Sequence, residues 1–220
     1  TASVVQHVWS LILALTTQLL PYSRTAVDGT WAESKLFCLL DHPLRELEGK
    51  TLGIVGAGDL GKGVTKIAQA FGMQVIFAAL PNRQYSDDLP RLPLQELLPV
   101  ADVVSLHCPL TEQTQGLIAR PELALMKNTA VLINTARGGI IDESAVRQAL
   151  IDGEIAGAGL DVLSAEPPVN GNVLIDPAVP NLIITPHTAW AAAEARQRLV
   201  GQIVDNISAF LDGKALRQVN

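Results

Sequence analysis

The sequence predicts an α/β protein whose core is a Rossmann-like, doubly wound parallel sheet with helices on both faces. Apolar segments of strand length alternate with helical segments along most of the 220 residues. The clearest unit is TLGIVGAGDLGKG at 51–63, where an apolar strand runs into a glycine-rich turn and a helix-compatible segment follows. The composition is 48% hydrophobic and 17% charged, which is typical of buried parallel strands.

The residues before this unit predict a helix and an irregular segment. An apolar helix is expected over 1–20, ending at Pro21. Polar residues interrupt it and no basic stretch precedes it, so it favours neither a membrane span nor a signal peptide. The segment 22–49 has no clear period, and its large apolar groups need cover, which indicates a subunit contact. His7 and His42 are interpreted as structural or surface histidines.

The glycine turn has the GxGxxG spacing of dinucleotide-binding loops. Gly56 allows the tight turn, Gly58 lets the backbone approach a pyrophosphate, and Gly61 lets helix and strand pack closely. Asp59 and Leu60 lie between these glycines and are predicted to bind the cofactor with them. The following helix directs N–H groups and a positive dipole end at the phosphates. The alternative is a glycine-rich turn in an unrelated α/β protein.

The second strand, expected over 74–79, bears on the choice between NAD and NADP. Dinucleotide-binding units that prefer NAD place an Asp or Glu about 20 residues after the glycines, at the end of this strand. Here the strand ends in Ala79, and Arg83 lies close by. Absence of the acid removes repulsion against a 2′-phosphate, and an arginine pairs with one. The pattern favours NADP, and the alternative is that Arg83 is a solvated loop residue.

The rest of the chain continues the alternation of strands and helices, so residues 1–220 are predicted to form one nucleotide-binding domain. Helices are expected over 62–71, 92–98, 121–126, 142–151 and 191–211. Further strands are expected over 101–106, 130–133, 155–163 and 182–184.

Three polar side chains each follow a hydrophobic strand and therefore belong at one rim of the sheet: Arg137, Glu166 and His187. Reduction of a 2-keto acid needs a cation that binds the carboxylate and polarises the carbonyl, and arginine does so with a bidentate fork. It needs a proton donor, a role for histidine, and a carboxylate that orients that histidine. The alternative is three unrelated surface residues.

Five motifs in order carry a resemblance to a known family: GAGDLG, LHCPLT, INTARGG with IDE, GAGLDVLSAEPP and ITPHTAW. The chain closely resembles the D-isomer-specific 2-hydroxyacid dehydrogenases over nearly all of residues 1–212. The resemblance implies that Arg137 binds and polarises the substrate, Glu166 supports the histidine, and His187 is the acid/base. The GNVL and HTAW strings resemble the glycerate dehydrogenase, or hydroxypyruvate reductase, branch.

The resemblance also implies cofactor contacts beyond the glycine turn. Asp161 would lie near the nicotinamide carboxamide, and His187 would lie at the same end of the cofactor. The remaining expected contacts fall in the LHCPLT and INTARGG motifs: His107, Cys108, Pro109, Thr114, Thr135 and Ala136. The implied cofactor is NAD(P), and the implied ligand is a small 2-hydroxy or 2-keto acid, with hydroxypyruvate, glyoxylate and D-glycerate expected.

Two departures from the family pattern matter. The acidic ribose anchor of the family is Ala79 here, which places NAD preference in question. Family members begin with a substrate-domain segment, and this chain starts at Thr1 without one, so a fragment lacking that segment is expected.

The resemblance implies a homodimer formed through the first helix and the 31–40 stretch. An alternative within the same architecture is a dinucleotide-sensing, corepressor-like binding scaffold.

Charge and cysteine content narrow the class of partner. The net charge of −6 comes without a basic stripe, which argues against nucleic acid. Cys38 and Cys108 lack metal-ligand spacing, and no metal site is predicted. Two isolated cysteines are typical of a reducing, cytoplasmic protein.

Overall fold

A computed structural model of the protein describes residues 1–80, 84–85 and 88–217. Within these residues one parallel sheet of seven strands has the order β3-β2-β1-β4-β5-β6-β7. The strands are β1 (Thr51–Val55), β2 (Gln74–Ala79), β3 (Arg91–Pro93), β4 (Val103–Leu106), β5 (Val131–Asn134), β6 (Gly157–Leu160) and β7 (Leu182–Ile184). The predicted parallel sheet is confirmed.

Helices cover both faces of this sheet. They are α1 (Ala2–Thr16), α2 (Leu19–Val27), α3 (Asp59–Ala70), α4 (Leu94–Leu97), α5 (Arg120–Leu125), α6 (Glu143–Ile151) and α7 (Ala193–Leu211). Successive residues of β5 show the two layers, because neighbouring side chains on a strand point to opposite faces. Leu132 belongs to a core cluster with residues of α4, α5 and α6, whereas Ile133 belongs to a cluster with residues of α1 and α3.

The strand order reverses at β1, which lies between β2 and β4. The chain runs outward from β1 to β3, then returns to place β4 on the other side of β1. Parallel sheets bind ligands in the crevice at such a switch point, outside the carboxyl ends of the strands. The glycine turn follows β1 and His107 follows β4, so both lie at this crevice.

The N-terminal segment differs from the prediction of one helix over 1–20. The structure has two helices, because Gln18 adopts a left-handed conformation with φ of 52° between them. Pro21 does not end a helix. It is the third residue of α2, within the first turn, where the missing backbone donor removes no intrahelical bond. Residues 22–27, expected to be irregular, complete this second helix.

The region 91–98 also differs from the prediction of one helix over 92–98. Arg91–Pro93 forms the edge strand β3, and only Leu94–Leu97 is helical. Pro93 is tolerated because an edge strand leaves one row of backbone groups unpaired. A strand of three residues that ends in proline carries too little period-two pattern to be recognised from sequence.

The apolar N-terminal helices α1 and α2 bear on whether the chain has a segment that could span a membrane. Among the described residues, no single helix has both the length and the apolarity needed to cross a bilayer. α1 and α2 together meet the length and composition criteria, but they are bent by 62° at their junction. One face of α1 packs into the protein core, with Val8 and Ile12 fully buried.

Candidate active site

The carboxyl ends of the strands enclose a cleft of about 860 Å³. Nine of the residues predicted from sequence to bind cofactor or substrate line it: Leu60, His107, Cys108, Pro109, Thr135, Ala136, Arg137, Asp161 and His187. The structure adds four that sequence reasoning did not assign to the site: Val4, Leu110, Ala189 and Trp190. Val4 shows that the first helix forms part of the cleft wall.

The glycine turn is shaped by one positive φ, one close contact and one open space. Gly56 has φ of +113°, a conformation that favours glycine. A Cβ on Gly61 would lie 2.1 Å from the carbonyl oxygen of Gly56, so helix and turn meet too closely for any side chain. A Cβ on Gly58 would meet nothing within 4 Å. Gly58 is also the N-cap of α3, so this open space faces a helix N-terminus, as a pyrophosphate requires.

Arg137 is exposed because the residues around it fold the backbone inward. The buried side chain of Asn134 accepts a hydrogen bond from the Ala136 backbone N–H at 3.0 Å and donates to the Arg137 carbonyl at 2.9 Å. The next residue, Gly138, is so close to the following loop that a Cβ would lie 1.9 Å from the carbonyl carbon of Leu163. Asn134 and Gly138 therefore fix the turn, and Arg137 lines the cleft with its guanidinium Nη1 donating to the Ala136 carbonyl at 2.7 Å.

Glu166 and His187 form a hydrogen-bonded pair. Glu166 Oε2 lies 2.7 Å from His187 Nδ1, and Glu166 Oε1 accepts the Leu163 backbone N–H at 2.8 Å. An ionised carboxylate only accepts, so Nδ1 carries the proton that it donates to Glu166. This fixes the orientation of the ring and leaves Nε2 as the nitrogen for acid/base chemistry.

Asp161 organises the turn that carries His187. Its side chain is 1% exposed. Oδ1 accepts hydrogen bonds from the Thr185 hydroxyl at 2.5 Å and the Thr188 N–H at 2.9 Å, and Oδ2 accepts the Ala189 N–H at 2.9 Å. The His187 N–H donates to the Asp161 carbonyl at 2.9 Å. These bonds hold His187 at φ of 53°, a conformation that non-glycine residues adopt only when their surroundings impose it.

The loop that carries Glu166 is attached to α6 by Glu143. The Glu143 carboxylate accepts hydrogen bonds from the Ser164 N–H at 2.7 Å, the Ser164 hydroxyl at 2.7 Å and the Asn172 amide at 2.8 Å. The sequence predicted only that Asp142 and Glu143 start the helix, as acids at its N-terminus. Asp142 is the N-cap and accepts the Ala145 N–H at 3.0 Å.

His107 and Thr135 leave polar atoms free for a ligand. His107 Nε2 lies 2.9 Å from the Ser105 hydroxyl, while its Nδ1 is buried with no protein partner among the described residues. Burial lowers the pKa of His107 from 6.5 to about 4, so the ring is neutral near pH 7. The Thr135 hydroxyl is likewise buried without a partner in the described part of the chain. Buried polar atoms of this kind fit the ribose and amide groups of a dinucleotide.

Two predicted cofactor residues besides the three glycines of the turn, Thr114 and Asp59, do not line the cleft. Thr114 is buried and does not line the cleft. Its hydroxyl donates to the Pro109 carbonyl at 2.6 Å and so shapes the loop that does. Asp59 is exposed at the start of α3 and does not line the cleft. Arg83 lies outside the described residues.

A second cavity of about 540 Å³ lies against the same imidazole. His187 lines both cavities, whereas Glu166 lines only the second. Apart from these two and Thr185, its walls are apolar: Leu163, Pro167, Pro168, Ile175, Ile184 and Pro186. The Glu166–His187 pair therefore lies between two cavities, of which the second is the more apolar.

A Rossmann-like sheet with an open glycine turn and a carboxylate-paired histidine at the strand ends defines a dinucleotide-binding domain equipped for acid/base chemistry. Comparison with known proteins agrees with this class. The family model for the NAD-binding domain of the D-isomer specific 2-hydroxyacid dehydrogenases matches residues 9–189.

Individual relatives support the same placement. Glycerate dehydrogenase of Methylorubrum extorquens is 47% identical over 96% of this chain, and hydroxypyruvate reductase of Blautia hydrogenotrophica is 39% identical over 100% of it. This chain spans 66% and 68% of their lengths. The structure of an acyclic imino acid reductase in complex with NADPH and D-Arg is 32% identical, with a TM-score of 0.85 over 99% of this chain and 67% of that one.

The chain belongs to the D-isomer specific 2-hydroxyacid dehydrogenase family, and it contains the NAD-binding domain of that family.

Proposed function

We propose that this chain carries the cofactor site and the catalytic residues of an enzyme that reduces hydroxypyruvate or glyoxylate and oxidises D-glycerate. The observation that carries the proposal is the Glu166–His187 pair at 2.7 Å, with His187 and Arg137 lining one cleft. The names of the relatives, glycerate dehydrogenase and hydroxypyruvate reductase among them, support this substrate class.

Each residue has a distinct part in the proposed reaction. A bound nicotinamide would supply the hydride to the substrate carbonyl carbon, or accept it in reverse. The Arg137 guanidinium binds the substrate carboxylate and polarises the carbonyl. His187 Nε2 gives its proton to the carbonyl oxygen, which becomes the hydroxyl, and takes it back in the oxidation. Glu166 holds the ring and stabilises its charged form.

Replacement of the histidine tests this role. In the complete natural polypeptide, His187→Ala should lower kcat for glyoxylate or hydroxypyruvate by about 10³-fold, because proton transfer contributes that much. The assay is NAD(P)H oxidation followed by absorbance. His42→Ala is a matched control, because His42 packs on Tyr22 outside the cleft.

Wild-type turnover by His187→Ala would show that another group transfers the proton. Absence of turnover in the natural protein, with NAD(P)H binding intact, would instead favour a dinucleotide-sensing scaffold.

We propose NADP as the preferred form of the cofactor. β2 ends at Ala79, so its end carries no carboxylate to bind the ribose hydroxyls of NAD or to repel a 2′-phosphate. The relative that binds NADPH shows that this form occurs among similar structures. Arg83 is the side chain that we expect to pair with the phosphate.

Calorimetric titration with NADH and NADPH separately tests the preference. NADPH should bind at least about tenfold more tightly, which corresponds to about 1.4 kcal/mol. Ala79→Asp should reverse the order, and Arg83→Ala should weaken NADPH alone. Tighter NADH binding by the natural protein would contradict the preference and leave Arg83 without a role.

We also propose a homodimer and a cytoplasmic location. The dimer is supported by exposed apolar side chains between α2 and β1: Trp31 (51% exposed), Leu36 (67%), Phe37 (90%), Leu40 (76%) and Leu44 (56%). The location is supported by Cys38 and Cys108, neither of which forms a disulfide.

A further inference from the structure

The first helix is hydrogen-bonded to both ends of the turn that carries His187. The Ser3 hydroxyl donates to the Ala189 carbonyl at 2.5 Å, and His7 Nε2 lies 2.9 Å from the Thr185 hydroxyl. Ser3 and His7 are one helical turn apart on the same face of α1. Their partners lie two residues to either side of His187, so α1 holds both ends of this short turn.

The direction of the hydrogen bonds follows from the number of protons available. The Thr185 hydroxyl has one proton, which it donates to Asp161 Oδ1 at 2.5 Å. Thr185 therefore accepts from His7, and Nε2 of His7 must carry a proton. The same nitrogen lies 3.5 Å from Asp161 Oδ1, so it faces the buried carboxylate as well.

The His7 and Asp161 side chains are largely shielded from solvent. The His7 side chain is 19% exposed and the Asp161 side chain 1% exposed. Hydrogen bonds in such surroundings are stronger than in water, and their loss leaves polar groups unsatisfied. Asp161 in turn accepts the backbone N–H groups of Thr188 and Ala189. A displaced Asp161 carboxylate would release the turn that keeps His187 in its left-handed conformation.

We propose that His7 is a positioning residue for His187, acting through Thr185 and Asp161. The inference rests on the proposed function, because it concerns the acid/base histidine of that reaction. His7 does not itself line the cleft, and among the described contacts it reaches the lining residue Asp161 but not the Glu166 carboxylate. It acts on the backbone that presents the imidazole, from a helix more than 170 residues away in sequence.

Three variants of the complete natural polypeptide test the proposal. His7→Leu removes the donor and should lower kcat about tenfold, because small misplacements of a catalytic group are costly. Its Kd for NADPH should stay within about twofold, since the phosphates bind at the glycine turn. His7→Gln places an amide donor near the position of Nε2 and should recover most of kcat. Gln6→Ala is the control, an exposed neighbour on α1 that does not line the cleft.

The state of the His187 ring gives a readout that does not depend on turnover. Long-range proton–nitrogen NMR should show a protonated Nδ1 on His187 in the natural protein and in His7→Gln. In His7→Leu that signal should shift or broaden as the contact with Glu166 loosens. If His7→Leu does not fold, His7→Asn replaces it, because its amide is too short to reach Thr185.

Several outcomes separate the possible failures. Equal kcat and an unchanged His187 signal in His7→Leu would overturn the proposal. So would a kcat loss that His7→Gln does not recover, since that indicates general damage to the helix. A natural protein that reduces neither acid refutes the proposed function, whereas the NMR comparison still decides whether His7 orients His187.

Discussion

Gly58 and Gly61 lie three residues apart in one motif, and the structure gives them opposite surroundings. A Cβ at position 58 would point into open space, whereas a Cβ at position 61 would overlap the Gly56 carbonyl oxygen. One glycine keeps space clear for a ligand, and the other allows the protein to pack against itself. A sequence motif shows both as the same letter.

Alanine substitutions should separate these two roles. Gly58→Ala should leave the melting temperature unchanged and weaken NAD(P)H binding more than about tenfold, because the new methyl group enters the phosphate site. Gly61→Ala should destabilise the protein by about 3 kcal/mol, since turn and helix must move apart. Thermal melting and calorimetric titration of both variants give the comparison. Equal loss of stability in the two would refute this division of roles.

The site residues also differ in how far the sequence determines them. Arg137 and His187 could be predicted because each follows a hydrophobic strand, and such strands end at one rim. The roles of Asp161 and His7 could not. Asp161 was expected near the nicotinamide, and it lines the cleft, but its hydrogen bonds to the turn at 185–189 appear only in the fold. No local pattern marks the contact of His7, whose partner is 178 residues distant.

At the scale of secondary structure elements, Asp102 joins the starts of three strands. It precedes β4, and its carboxylate accepts the backbone N–H of Thr51 in β1 at 2.9 Å and the Lys127 ammonium, ahead of β5, at 2.9 Å. Burial alone would raise the pKa of Asp102. The hydrogen bonds from Thr51 and Lys127, with the charges of Lys127 and Lys50, outweigh burial and hold this pKa below its ordinary value of 3.8.

Asp102→Asn should therefore destabilise the fold in a pH-dependent way. A carboxyl whose pKa is lower in the folded state stabilises it above the unfolded pKa, and this contribution is lost as pH falls through the folded value. At pH 7 the variant should lose about 1 kcal/mol of unfolding free energy. The difference from the natural protein should shrink as the pH falls below about 4.

Urea unfolding at pH 7 and at pH 3.5 measures this difference. Glu96→Gln is the control, because Glu96 is an exposed carboxylate on α4. A loss for Asp102→Asn that is the same at both pH values would show that shape, and not charge, matters at this position.

Elements with a strong period were predicted from sequence, and short or broken ones were not. The bounds predicted for β2 and β7 are those of the structure, because both are bounded apolar runs. β3 was missed because three residues with a proline have no recognisable alternation. The break between α1 and α2 was missed because Gln18, which makes it, is not a residue that usually adopts a left-handed conformation.

At the scale of the whole molecule, the alternation of strands and helices was enough to predict the sheet, since parallel strands need helical crossovers. The same alternation of strands and helices does not reveal which surfaces form contacts between subunits. Phe37 is 90% exposed in a segment without helix or strand, and isolated monomers rarely expose contiguous apolar patches of this kind.

Light scattering should find a dimer at about 20 µM, since interfaces of standard size hold at that concentration. Phe37→Asp should shift the protein towards monomer, because it places a charge within the proposed interface. Ile151→Asp serves as the control, an exposed apolar residue at the end of α6. A natural protein that is monomeric at this concentration would contradict the proposed homodimer.

The buried ring of His107 has a consequence for how the cleft responds to acid. With a pKa of about 4, this imidazole is uncharged above about pH 5.5. It therefore keeps the same charge throughout the pH range in which histidines ordinarily titrate. The charge on that wall of the cleft therefore does not change over the pH range in which enzymes are usually assayed. Any bend in a plot of cofactor affinity against pH in that range has to originate in some other group.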